Sequence, residues 1–168
     1  MNDGVTDSAI PNRSTLTQMA QSLIDAQRTM TLATCNAESP WAAPVYYIFR
    51  KGAFFFFSSP ESRHIRDTSF IDKASAAIYA DAATWQAIRG IQMAGRIERI
   101  AAGVNALMIL KAYMSKFPLT KNLLPNEKTI DLDSFTANFR VQLFGFKPDT
   151  VLYQDNSIKF GFRKEITL

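Results

Sequence analysis

The sequence predicts a mainly β fold: a small antiparallel β-barrel carrying α-helices. Three observations lead there. Six to seven segments have strand character, and most are joined by short turns. Helical periodicity is confined to interruptions, one near the N-terminus and one late in the chain. A parallel doubly wound sheet would need a helix after nearly every strand and a glycine-rich turn such as GxGxxG, and the chain has neither.

Along the chain, residues 1–13 read as a disordered lead, and residues 14–168 as one domain. Ser14 is a candidate N-cap for an amphipathic helix whose Leu16, Met19, Ala20, Leu23 and Ile24 recur at helical spacing. Strand-like segments begin at Arg28 (RTMTLATC), Trp41 (WAAPVYYIF) and Ala53 (AFFFFSS), with a hairpin turn expected at Gly52. SRHIRDTS reads as a short helix. ASAAIYA, from Ala74, is a further strand, and a long one covers Ile88 to Ile100. Gly103 introduces a helix that Pro118 ends, and a loop with Pro125 and Asn126 comes next. Three short strands close the chain, with turns expected at Pro148-Asp149 and Asp155-Asn156.

Composition excludes several classes. Hydrophobic residues make up 47% and charged residues 20%, so the chain is neither disordered nor fibrous. A net charge of +4 from scattered Lys and Arg lacks the clustering that nucleic-acid binding requires. No apolar run approaches the roughly 18 residues that span a bilayer, and MNDGVTDSAIPNRS does not read as a secretory signal. Cys35 is the sole cysteine, without neighbouring cations, and His64 the sole histidine, so a cysteine-cluster or multi-histidine metal centre is not expected. These features describe a cytoplasmic protein with no nucleic-acid or membrane partner.

The stretch FFFFSSPESRHIRD, Phe54 to Asp67, changes abruptly from apolar to hydroxyl and cationic residues. Two readings fit it. One is an exposed turn capped by Ser59 or Ser62, with Arg63 and Arg66 as a solvated helix face and Glu61 and Asp67 facing solvent. The other is a phosphate clamp: Ser58, Ser59 and Ser62 supply hydroxyls, helix-start N–H groups point at the oxygens, and Arg63 supplies a planar fork.

The same residues resemble the pyridoxamine 5'-phosphate oxidase-like, FMN-binding split-barrel superfamily, from about Arg28 to Glu165 and most closely an uncharacterised bacterial branch. Phe57 and Ser58 fall on its aromatic–hydroxyl pair, and Ser62, Arg63 and His64 on its Ser-Arg-Lys run. WQAIRGIQMAGRIERI, with Gly95 before a basic–acidic–basic tail, is similar to its long strand. The resemblance implies a split β-barrel homodimer that holds FMN at the subunit interface for flavin-dependent redox chemistry on a small molecule. Pro44, Val45 and Tyr46 would contact the flavin by backbone or apolar atoms, and Gln92, two residues beyond Gly90, would replace a displaced family glutamine. His64 in the lysine's place implies FMN binding that tightens as pH falls. No counterpart of the residues that grip pyridoxal phosphate is visible. The alternative is a non-catalytic protein of the same fold holding flavin or haem, with His64 as the axial haem ligand.

Elsewhere packing is the expected role. The four phenylalanines read as a strand buried on both faces, in a barrel or at a dimer seam. Tyr46 and Tyr47 should point to opposite faces. Trp41 and Trp85 have rings able to stack on an isoalloxazine, but packing is the expected role for both, as for Met108 and Met114.

Overall fold

The first helix, α1 (Arg13–Ala26), starts one residue before the expected cap: Asn12 Oδ1 accepts the Thr15 N–H at 3.0 Å. Its Leu16, Ala20, Leu23 and Ile24 are all buried against the barrel. The computed structural model describes residues 10–36, 39–69, 71–118 and 131–168. The loop with Pro125 and Asn126, and most of the expected disordered lead, lie outside them.

Among the described residues, eight strands form one antiparallel sheet. They are β1 (Thr29–Cys35), β2 (Pro40–Tyr46), β3 (Ile48–Arg50), β4 (Ala53–Ser58), β5 (Lys73–Tyr79), β6 (Arg89–Arg99), β7 (Gln142–Asp155) and β8 (Arg163–Glu165). Spatial order is β2-β1-β5-β6-β7-β4-β3, with β8 added to β7. The sheet curls until β2 lies against β4 without ladder hydrogen bonds, which gives the split of the barrel.

The segment expected as one strand from Trp41 breaks at Tyr47. Its N–H turns to Arg28 O (3.2 Å) and its hydroxyl donates to Ile24 O (2.7 Å), tying the strand to the end of α1. Tyr46 and Tyr47 do part company: Tyr47 is fully buried and Tyr46 is 55% exposed. The β3–β4 hairpin turns at Lys51 (φ 50°) and Gly52 (φ 77°), the paired positive values that suit a two-residue hairpin.

Strand β4 is buried on its inner face and partly buried on its outer one. Phe54 and Phe56 point into the barrel, while Phe55 and Phe57 face α3 (Val104–Lys116). Phe57 also meets Phe135 of α4 (Leu132–Phe139), with ring centroids 4.7 Å apart. Phe55 and Phe57 remain partly exposed beneath these helices. Met114 is core, as expected, but Met108 is 40% exposed.

Three further expectations need correction. Helix α4 occupies residues read as loop and early strand; Asp131 caps it by accepting the Ser134 N–H at 2.8 Å. Pro148-Asp149 is not a turn: β7 runs straight through it. The β6–β7 register shifts between Ala94 and Gly95, so Ala94 pairs with Thr150 and Gly95 with Pro148. Proline, lacking an N–H, is tolerated at such a bulge. The described residues hold eight strands rather than six or seven: the break at Tyr47 splits one expected strand in two, while β7 joins two expected closing strands into one.

Candidate functional site

Strand β4 ends at Ser58, and a turn of four residues leads to α2 (Arg63–Thr68). Because Ser58 has the parity of Phe54 and Phe56, its side chain points inward beneath that turn. There its hydroxyl lies 2.8 Å from His64 Nε2 and 3.1 Å from Ser62 Oγ. Ser62 Oγ is 3.3 Å from the same Nε2 and donates to Ser59 O at 2.7 Å. Ser59 Oγ accepts the Glu61 N–H. The three serines and the histidine expected at the clamp thus come together as one hydrogen-bonded knot.

Arg63 reaches outward from the same helix turn. Its guanidinium carbon lies 4.6 Å from the Trp41 ring centroid, and Nη2 donates to Ser39 Oγ and to Ser39 O (3.3 Å). Its Nε is 3.8 Å from Asp67 Oδ2. No hydrogen bond among the described residues engages Nη1 or uses the Ser59 hydroxyl proton.

Asp67, expected to face solvent, is instead buried, accepts the Thr34 hydroxyl at 3.0 Å and anchors Arg63 from below. Trp41, 43% exposed, serves as the platform for that guanidinium instead of packing in the core. Thr34, Ser39, Trp41 and Asp67 are the members of this site that sequence reading missed. Thr34 and Asp67 are 33 residues apart, and no local spacing announces such a pair.

His64 is turned into the protein, its ring packed near Phe56 at 6.5 Å between centroids. Burial lowers its pKa below the ordinary 6.5, and the nearby Asp67 carboxylate only partly offsets this. Near neutral pH the ring is uncharged. An unfolded chain takes up a proton around pH 6.5 that the folded chain resists. The stabilisation is therefore full above that pH and is lost as pH falls through the lowered folded value. The melting temperature should decline on acidification below about pH 6.5, and His64→Gln, whose amide can still meet Ser58, should flatten that part of the curve. Parallel pH profiles for the two proteins would show that His64 does not govern it.

The remaining expected residues lie on the outer sheet face, save two. Pro44, Thr31, Ala77, Gln92 and Leu152 form one row across five strands by register. Ala42, Ala33, Ser75, Ala94 and Thr150 form the next. Pro44 and Gln92 are three strands apart, about 14 Å. Tyr46 shares this face, whereas Val45 is buried inside the barrel and Phe57 is partly buried under α3. Two adjoining hollows of about 380 and 580 Å3 on the face share Ala33, Ser75, Ala94 and Thr150. Among the described residues no group of three His, Cys, Asp or Glu could hold a metal ion, and no helix is long and apolar enough to cross a membrane.

Known proteins resemble this chain in sequence and in fold. A UPF0306 protein of Klebsiella pneumoniae (strain 342) is 23% identical over 140 residues, covering 82% of this chain and 84% of its own. An FAD-binding protein of Mesorhizobium loti superposes with a TM-score of 0.60 at 15% identity, covering 80% of this chain and 90% of its own. HutZ, a haem storage protein of Vibrio cholerae, gives 0.63 at 15% identity with the same two coverages. These structures share the split-barrel fold. The family profile described as pyridoxamine 5'-phosphate oxidase matches residues 16–154, from the first turns of α1 to the end of β7. The chain belongs to the pyridoxamine 5'-phosphate oxidase family.

Proposed function

We propose that this protein binds FMN across the interface of a homodimer and uses it for redox chemistry on a small molecule. One observation carries the reading: a cationic, hydroxyl-rich corner is built where β4 meets α2. Its guanidinium is fixed by Trp41, Ser39 and Asp67, with Nη1 and the Ser59 hydroxyl left to donate. That donor set suits a phosphate group. Ser58, Ser62 and His64 support the corner from beneath, and the neutral His64 contributes hydrogen bonding rather than charge. Bound there, FMN would supply hydride and electron transfer, while this chain binds, orients and excludes water.

The row of small residues Ala42, Ala33, Ser75, Ala94 and Thr150, with Thr31 and Ala77 beside it, favours the dimer. Alanine, serine and threonine let a second surface approach closely, and a face this broad and weakly polar is what interfaces cover. Pro44, Tyr46 and Gln92 on the same face would then border the flavin. Haem is the less suited occupant: the sole imidazole is buried and its Nε2 is already engaged by Ser58.

Titration of FMN into the purified protein, monitored by flavin fluorescence quenching and light scattering, tests the reading. Saturable quenching by a dimer is expected. Ala94→Arg, placed in the middle of the exposed face, should yield a monomer that no longer binds FMN. A monomer that still binds FMN would remove the interface from the proposal. A protein that refuses FMN but takes up haem with a Soret band would replace the cofactor.

A further inference from the structure

A cleft of about 450 Å3 lies between α4 and the ends of β6 and β7, bordered by the β4–α2 turn. Its walls carry Arg99, Arg140, Thr136 and Gln142 among apolar residues such as Ile100 and Leu143, with one carboxylate, Asp133. Pro60, in the middle of the turn, lines it too.

Two features separate this cleft from an incidental groove. Among the described residues the ion pairs are Arg63–Asp67 and Arg96–Asp149, and no described carboxylate pairs with Arg99 or Arg140. Among the described lining residues, two guanidinium groups stand against one carboxylate, a cationic balance. The second feature is the backbone of Arg140. It closes α4 in the left-handed conformation (φ 51°, ψ 43°), while Val141 N–H returns to Thr136 O at 3.0 Å. Glycine is the residue this position favours, because a Cβ there crowds the following carbonyl. A long cationic side chain held at such a position is a strained choice, and strain of this kind gathers where a side chain serves a ligand.

We infer that this cleft binds a small anionic molecule with an apolar body, its carboxylate or phosphate gripped by Arg99 and Arg140. The volume suits a metabolite-sized ligand, and mixed apolar walls with a few convergent polar groups are the usual make-up of such sites. The site is separate from the flavin corner and does not depend on it. Through Pro60 it shares a wall with the turn that carries Ser59 and Ser62, so an occupant would touch the corner's own scaffold.

The probe is 8-anilinonaphthalene-1-sulfonate, an anion with an aromatic body, titrated into the native full chain at neutral pH. Its neutral analogue N-phenyl-1-naphthylamine serves as the comparison. Arg140→Gly should weaken sulfonate binding at least tenfold and leave the melting temperature unchanged or raised, since glycine relieves the backbone. Arg99→Gln should weaken it to a similar degree, and Arg66→Gln, on the exposed face of α2, should not. Neither cleft variant should alter binding of the neutral analogue. Unchanged sulfonate affinity in both variants would overturn the inference. So would a fall in melting temperature for Arg140→Gly, which would show that the arginine is kept for a structural contact.

Discussion

Gly95→Ala should lower the stability of this protein by about 3 kcal/mol, at the upper end of what overpacking usually costs. The glycine sits in the β6–β7 pairing, next to the register shift. A Cβ built there would lie 2.1 Å from Lys147 O, 2.7 Å from Pro148 Cα and 2.9 Å from Lys147 C. All three are backbone atoms of the neighbouring strand, so no side chain can swing aside. The two strands would have to part at the longest ladder of the barrel. Set against a typical stability of about 5–15 kcal/mol, such a loss is large. The melting temperature should drop by roughly 6–12 °C for a chain of this size. Gly161→Ala makes a useful contrast: that glycine has φ +71° but nothing within 4 Å of the added methyl. It should cost about 1–2 kcal/mol through backbone strain alone. Urea unfolding of the three proteins would compare them. A Gly95→Ala protein as stable as wild type would mean that β6 and β7 do not approach as closely as described.

Local signals in the sequence were legible, and they gave most of the barrel. The period of Leu16, Ala20, Leu23 and Ile24 announces α1, and Gly52 announces its hairpin. The run from Ser58 to His64 announces a strand end and then a helix start. Long-range pairings were not legible. Arg63 meets Ser39 and Trp41, and Asp67 meets Thr34, only because β1, β2 and α2 converge at one end of the barrel. His64 faces inward because of the parity of β4, which places Ser58 beneath the turn. Helix α4 had a usable signal in Asp131 three residues before Ser134, with Leu132, Phe135 and Phe139 at helical spacing. Only eight residues long, it is easily masked by the strand character of the adjoining β7 segment. Pro148 misled for a related reason: proline marks turns more often than bulges, and only the shift opposite Gly95 shows which it is.

Arg63→Ala should weaken FMN binding about tenfold to a hundredfold, since a hydrogen bond to a charged group is worth roughly 1.5–3 kcal/mol. Arg63→Lys should recover part of the loss, because the charge returns without the fork and without the flat contact on Trp41. The structure adds a complication that the experiment has to separate. Arg63 also holds Ser39 and stands over the buried Asp67, so its removal leaves that carboxylate with the Thr34 hydroxyl as its remaining described partner. Stability should therefore fall along with affinity. Asp67→Asn resolves the two effects. It removes the buried charge, keeps an acceptor for Thr34 and frees the guanidinium from its ion pair. If Arg63 grips the phosphate, FMN affinity in Asp67→Asn should equal or exceed that of wild type, and adding Arg63→Ala should again cost tenfold or more. If Arg63 only pins the β1–β2 connection, affinity in the Asp67→Asn background should be indifferent to Arg63→Ala, once thermal melts confirm that both proteins are folded. Arg66→Ala is the reference: exposed, and joined to no carboxylate within 4 Å among the described residues, it should change affinity less than about threefold, the worth of a screened surface charge. Fluorescence quenching of FMN measures all five variants on one scale, and an Arg63→Ala protein that binds like wild type would return the Ser58–Arg66 stretch to the plainer role of a capped, solvated helix.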